Sequence, residues 1–385
     1  MTPLPPPTSP SSPPSHTIRL AEPSDLIAAV PVLLGFRPRD SLVLIALHRT
    51  PSGRHRLGLG LRVDLPPPRH AAAVAAQAAD GLLLDDPAEA AVIVVGRGPS
   101  GRAPGRPQPR PRGAGSRARR RRPSGPPRPE IAGAAIAALR ERGIVAHSVM
   151  WTQRCAAGSP WACYDGCCSG TLADPGGTAM AAHAVAEGQV VYGERAELEA
   201  LVTPVARPVL RRREKLLERA FAEVCGQAGP DGAAEGPAEF PGSLAADSAQ
   251  AAIAQVEAGM RTLDVAVAAA AQGELQLDDD AVVGLALALG LPEVRDEAMR
   301  LCTGPQAAAA EQLWAALARE TPDPEAAVPA ALLALSALAR GRGALANIAL
   351  DRAERAWPAH HLTGLIRQTA AAGIRPEEIR AWLEG

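Results

Sequence analysis

The sequence predicts an α/β N-terminal domain, a mixed sheet covered by helices, followed by an all-α helical domain. Three observations carry this. Ser41 to Leu47, SLVLIAL, is an apolar run without polar alternation, which suits a strand covered on both faces. Strand-like and helix-like segments then alternate to about residue 204, the order expected of helices packed on a sheet. From Val205 onward strand patterning stops, and segments of helical period bounded by Pro or Gly run to the end of the chain.

The elements follow in order. Residues 1–17 are rich in Pro and Ser and read as a disordered tail. Ile18 to Leu20 suggest a short strand opening the α/β domain, taken as 18–204. In the stretch 24–35, Ser24 is expected to cap a helix with Asp25 at the positive end of its dipole. Leu26, Ile27, Val30, Leu33 and Leu34 share one face. Pro31 lacks an amide hydrogen and is expected to split the segment into two short turns, and Gly35 to close it in a left-handed cap. After the buried run, PSGRH (51–55) is a turn. Leu57, Leu59, Leu61 and Val63 alternate as an antiparallel partner strand. Arg69–Leu84 is an Ala-rich helix, Ala91–Val95 another buried strand, Glu130–Arg142 a helix and Ile144–Trp151 a strand. A cysteine-rich loop follows, then helix over 178–187, a short strand over 190–192 and helix over 194–201. A long helix from Val205 and a Gly/Pro/Ala linker fill 205–242. The helical domain, 243–385, holds eight further helical segments.

One composition shift interrupts the α/β domain. Residues 97–128 hold eleven arginines and no acid among Pro, Gly and Ser, the make-up of disordered chain. We place an insertion at 97–129 rather than a boundary. Lengthening a loop from ~4 to ~32 residues costs roughly 2 kcal/mol of closure entropy, which a stable core can absorb.

Composition also excludes chemistry. The chain of 385 residues is 47% apolar but only 3% aromatic, with a net charge of −1, so its core is built from Ala, Leu and Val. Lys215 is the only lysine, so no phosphate-cradling GxxxxGK[ST] loop exists. Gly96-Arg-Gly-Pro-Ser-Gly101 spells GxGxxG, but Pro and Gly follow it. No helix can open there to aim amides at a pyrophosphate. No GxSxG or HExxH occurs. Residues 1–16 lack the basic start and apolar core of a secretion signal, and no apolar run reaches membrane-spanning length. The expected location is cytoplasmic, where cysteines stay thiols or ligands.

Several segments together carry a resemblance: DLIAAVPVLLGFRPRDSLVLI (25–45), LRVDLP (61–66), PWACYDGCCSGTLADP (160–175), AAHAVAEGQVVYGERAELEALV (181–202), VRD (294–296) and GRGALANIALDRAERAWP (341–358). In kind and order they resemble the actinobacterial family catalogued as domain of unknown function 4192 (DUF4192). The resemblance spans nearly the whole chain apart from the low-complexity tracts. It implies a cytoplasmic protein with an α/β region followed by helices, and assigns no activity and no residue roles. The arginine tract departs from the family pattern.

The densest chemistry lies at Trp161–Asp174. Cys163, Cys167 and Cys168 place three thiols within six positions, a donor set for zinc or another soft metal. The spacing is not that of a standard knuckle, and a fourth ligand would come from Cys155, His147 or His183. Asp165 beside Cys163 or Cys168 could instead tune a reactive thiol. The competing account is a tight loop in which Cys is a small hydrophobe, with Trp161 and Tyr164 packed over it; Asp174 completes the candidate set. No catalytic residue and no organic cofactor is assigned; zinc is the one cofactor considered. The leading functional expectation is a non-catalytic cytosolic interaction or scaffold protein with an unidentified protein partner and no membrane contact. The alternatives are an enzyme or metal-binding protein with its site at 161–174, and weak nucleic-acid or polyanion binding through 97–128, where no aromatic is interleaved to stack on bases.

Overall fold

A computed structural model describes residues 22–97, 125–186, 188–227 and 242–384. The expected tail, the 18–20 strand, nearly all of the arginine insertion and most of the 226–242 linker lie outside the described residues.

Helix α1 (Pro23–Leu34) opens the fold. Its N-cap is Glu22, not Ser24: the Glu22 amide donates to Asp25 Oδ2 at 3.0 Å, and Ser24 Oγ donates to Glu22. Pro23 takes the first helical position, where its missing donor costs nothing. Pro31 does not split the helix. It falls in the last turn, where one amide is lost, and the apolar face on both sides of it is buried. Gly35 ends α1 with φ +77°, as expected of a left-handed cap.

Strands β1 (Ser41–Arg49), β2 (His55–Asp64), β3 (Glu89–Val95), β4 (Val145–Thr152), β5 (Pro160–Cys163) and β6 (Ser169–Thr171) form one sheet in the order β2-β1-β3-β4-β5-β6. Only β3 and β4 are parallel; every other pair is antiparallel. The run 41–47 is thus central, paired on both edges and buried at every position. Helices α2 (Ala71–Leu82) and α3 (Pro129–Glu141) cover the face formed by Leu42, Leu44, Val92, Val94 and Trp151. The parallel β3–α3–β4 passage puts α3 on this face. The other face, Val43, Ile45, Leu47, Ile93 and Met150, packs under α1 and merges with the helical region in one continuous apolar cluster.

The segment expected as a strand at 190–192 is a single bridge, Tyr192 to Phe36. It lies between α4 (Ala179–Ala186) and α5 (Arg195–Ala200). Helices α6 (Arg207–Gln227), α7 (Gly242–Gln272), α8 (Asp279–Gly290), α9 (Pro292–Arg300), α10 (Ala307–Glu320), α11 (Ala327–Ala339), α12 (Gly343–Ala356), α13 (His361–Ala371) and α14 (Pro376–Glu384) complete the chain. Helix α11 is apolar all round and buried along almost its whole length, as a helix enclosed by others must be. The acidic triplet 278–280 is a helix start: Asp278 Oδ1 accepts from the Ala281 amide at 2.8 Å. No helix among the described residues is long and apolar enough to cross a membrane.

Candidate functional site

The cysteine-rich segment is not an open loop. Strands β5 and β6 make a hairpin at the sheet edge, with Trp161 opposite Gly170. Each strand is too short and too rich in Cys, Gly and Ser to show alternation, which is why the sequence reads as loop. At its tip the Cys163 amide donates to the Cys168 carbonyl at 2.9 Å and the Gly166 amide to the Cys163 carbonyl at 3.2 Å. Gly166 sits at φ +76°, a conformation glycine adopts without strain. The Asp165 carboxylate accepts from the Cys167 amide at 3.0 Å. These bonds fold Cys163 back over Cys167 and Cys168.

The result is a cluster of sulfurs. Cys163 Sγ lies 2.8 Å from Cys168 Sγ, and Cys167 Sγ lies 3.1 Å from Cys168 Sγ. All three are within 4.8 Å of one another. They grade from core to surface: Cys163 is buried, Cys168 half-buried and Cys167 exposed. Burial first, and then the neighbouring thiols, push the Cys163 thiol well above its usual range. The Cys168 thiol and the Asp165 carboxylate push Cys167 up to about 11. Neither is a standing thiolate at neutral pH, so Asp165 raises its neighbour instead of activating it.

The remaining expected residues divide. Trp161 is buried, with its indole over Gly170, where a Cβ would come within 3.2 Å of Nε1. Tyr164 donates its hydroxyl to the Pro127 carbonyl at 2.6 Å. Asp174 accepts from the Gly176 amide at 3.0 Å, capping a 3₁₀ turn. Cys155 is buried, its thiol raised to about 12 by that burial, and His183 lies on α4. Neither joins the thiols among the described residues, and neither does His147. The hairpin turns back along β4. Its antiparallel pairing, Cys163 with Met150 and the Tyr164 amide on the Val149 carbonyl, carries the thiols back toward the start of β4. Ligand sites of α/β sheets usually lie beyond the strand C-termini.

A second cluster has no sequence signature. Glu89, the first residue of β3, is 7% exposed. Its Oε1 accepts from Arg49 Nε at 2.6 Å, while its Oε2 lies 2.8 Å from His55 Nε2 and 3.0 Å from His147 Nδ1. The first of these, the Arg49 hydrogen bond, does most to hold the carboxyl below its usual range. The register explains the meeting: Leu47 pairs with Glu89 and Arg49 with His55. On the other side Ala90 pairs with Ala146 but Ala91 with Ser148, so His147 is the extra residue of a bulge, a device that re-aims a side chain. The only foresight available was Glu89 standing as an acid directly before an apolar strand.

No curated protein and no solved structure matches this chain. A family model does, over residues 23–377, spanning the sheet, the thiol hairpin, the His–Glu–His cluster and the helices up to the first residues of α14. The chain therefore belongs to the family described as a domain of unknown function, DUF4192.

Proposed function

We propose that the protein binds one thiophilic cation, zinc in the first instance, at the tip of the β5–β6 hairpin through Cys163, Cys167 and Cys168. The observation that carries this is the convergence of three sulfurs within 4.8 Å. Zn–S bonds of ~2.3 Å in tetrahedral geometry set sulfurs about 3.8 Å apart, so the present spacing opens by under about 1 Å to admit the ion. A bound cation would displace the thiol protons and offset the charge of the resulting thiolates, which coupling of metal binding to proton release requires. The exposed Cys167 leaves the fourth position toward solvent, where water or a partner's donor completes the shell.

The test is elemental analysis of full-length, untagged protein purified reduced. The expected result is one equivalent of zinc or copper per chain more in the parent than in Cys163→Ser and in Cys167→Ser. Substoichiometric metal in the parent, or the same content in both variants, overturns the reading.

The interaction role expected from composition has coarser support: a groove of about 500 Å³ between α7 and α8, lined by Arg261, Val265, Leu275 and Leu277. Nothing on its walls specifies an occupant. The arginine run Arg117–Arg122 lies outside the described residues.

A further inference from the structure

We infer that His55, Glu89 and His147 form a second cation site, chemically distinct from the thiol hairpin and suited to a borderline divalent ion such as Zn²⁺. Three strands deliver its donors: β2 supplies His55, β3 supplies Glu89, and the β4 bulge supplies His147. The donor atoms His55 Nε2, Glu89 Oε2 and His147 Nδ1 lie mutually within 4.8 Å. The two imidazoles are 4.4 Å apart and inclined at 53°, so they converge on one oxygen and do not stack face to face.

Charge balance alone does not call for this arrangement. Arg49 already pairs with Oε1 at 2.6 Å, which neutralises a buried carboxylate; two imidazoles on the other oxygen exceed that need. Two histidines and one carboxylate with an open fourth position are a zinc donor set. Bonds of ~2.0–2.2 Å place such donors about 3.3 Å apart. The present 2.8 and 3.0 Å separations widen by roughly that difference if the His147 ring swings outward, and its side chain is 46% exposed. On loading, the nitrogens facing Oε2 give up or lack their protons and the opposite ring nitrogens carry them. Arg49 then acts from outside the coordination shell, fixing the carboxylate plane through Oε1, as outer partners of metal ligands do. The exposed side of His147 is the entry path, and water takes the remaining position.

The experiment uses full-length, untagged protein carrying Cys163→Ser, Cys167→Ser and Cys168→Ser together, so that failure of the thiol reading leaves this one standing. Co²⁺ is titrated and its visible d–d absorption followed. The expected result is one saturable equivalent, without a thiolate-to-cobalt charge-transfer band, and weakened at least about tenfold by His147→Ala and by His55→Ala. His48→Ala, a histidine outside the cluster, keeps the parent affinity. Circular dichroism checks that each variant is folded; His147, half-exposed, is the variant least able to disturb the sheet. No saturable Co²⁺ in the triple-serine parent, or equal affinity in folded His147→Ala, overturns the proposal.

Discussion

His147 occupies the extra position of the bulge between β3 and β4, and its Nδ1 lies 3.0 Å from Oε2 of Glu89. One carboxylate thereby ties β1, β2 and β4 to the start of β3, at a buried position with no apolar substitute. Glu89→Gln keeps the shape but gives up the charge-assisted bonds. In metal-free buffer it should lower unfolding stability by about 1–3 kcal/mol, read from urea denaturation with the slope unchanged. A cost near zero would mean that the cluster adds nothing to the fold.

Arg213 on α6 ties together the start of α8 and the end of α10. Its side chain is 5% exposed. It donates to Asp279 Oδ1 at 2.9 Å, to the Leu277 carbonyl at 3.0 Å, to the Glu320 carbonyl at 2.7 Å and to the Glu320 carboxylate. Arg213→Ala strips partners from two carboxylates at once and should cost about 3 kcal/mol, seen as a lower unfolding midpoint. A loss under about 0.5 kcal/mol would put the pair among ordinary surface ion pairs.

The same network sets an acid limb. Hydrogen bonding to Arg212, then Arg213, holds the Asp279 carboxyl down at about 2, below the ~3.9 of an unfolded Asp. A depressed folded value stabilises above the unfolded value, and that contribution is lost as pH falls through the folded one. The stability gap between wild type and Asp279→Asn should therefore be constant from neutral pH down to about 4 and close toward pH 2. A gap that widens on acidification contradicts the assignment.

Thiol labelling should follow burial. Cys155 and Cys302 are buried, each raised to about 12, whereas Cys167 is exposed. After chelation, native protein should be alkylated at Cys167 ahead of Cys155 and Cys302, which are modified only on unfolding, since thiolate fraction and access set the rate. Zinc should protect Cys167 by at least about tenfold in rate. Mass spectrometry of the peptides reads both; unprotected Cys167 at saturating zinc would count against the hairpin site.

Gly58 is required by its neighbours. A Cβ there would fall inside Asp85 Oδ2 and 2.6 Å from His48 Nε2, two groups that pair at 2.8 Å while Asp85 also accepts from the Leu59 amide at 2.7 Å. Gly58→Ala, which would ordinarily stabilise a strand, should instead cost about 1–3 kcal/mol in thermal or urea unfolding. A stabilised variant would show that Asp85 can move freely.

The sequence by itself determined the fold class and most of the element types, because hydrophobic period and breakers are local properties. The unbroken 41–47 run predicted the central strand, Gly35 the helix cap, and the family segments pointed to the family. The sequence confined three thiols to six positions; the turn at Gly166, with the Cys163 amide bonded to the Cys168 carbonyl, brought the sulfurs together. Tertiary structure decided the rest. Pro31 stays inside one helix because packing on both sides outweighs one lost hydrogen bond. The hairpin exists because β5 finds an edge on β4, which its own composition does not announce. The His55–Glu89–His147 cluster joins positions far apart in the chain through strand register and one bulge. A register is set by how whole faces bury together, and no window of sequence around any of the three residues contains that information.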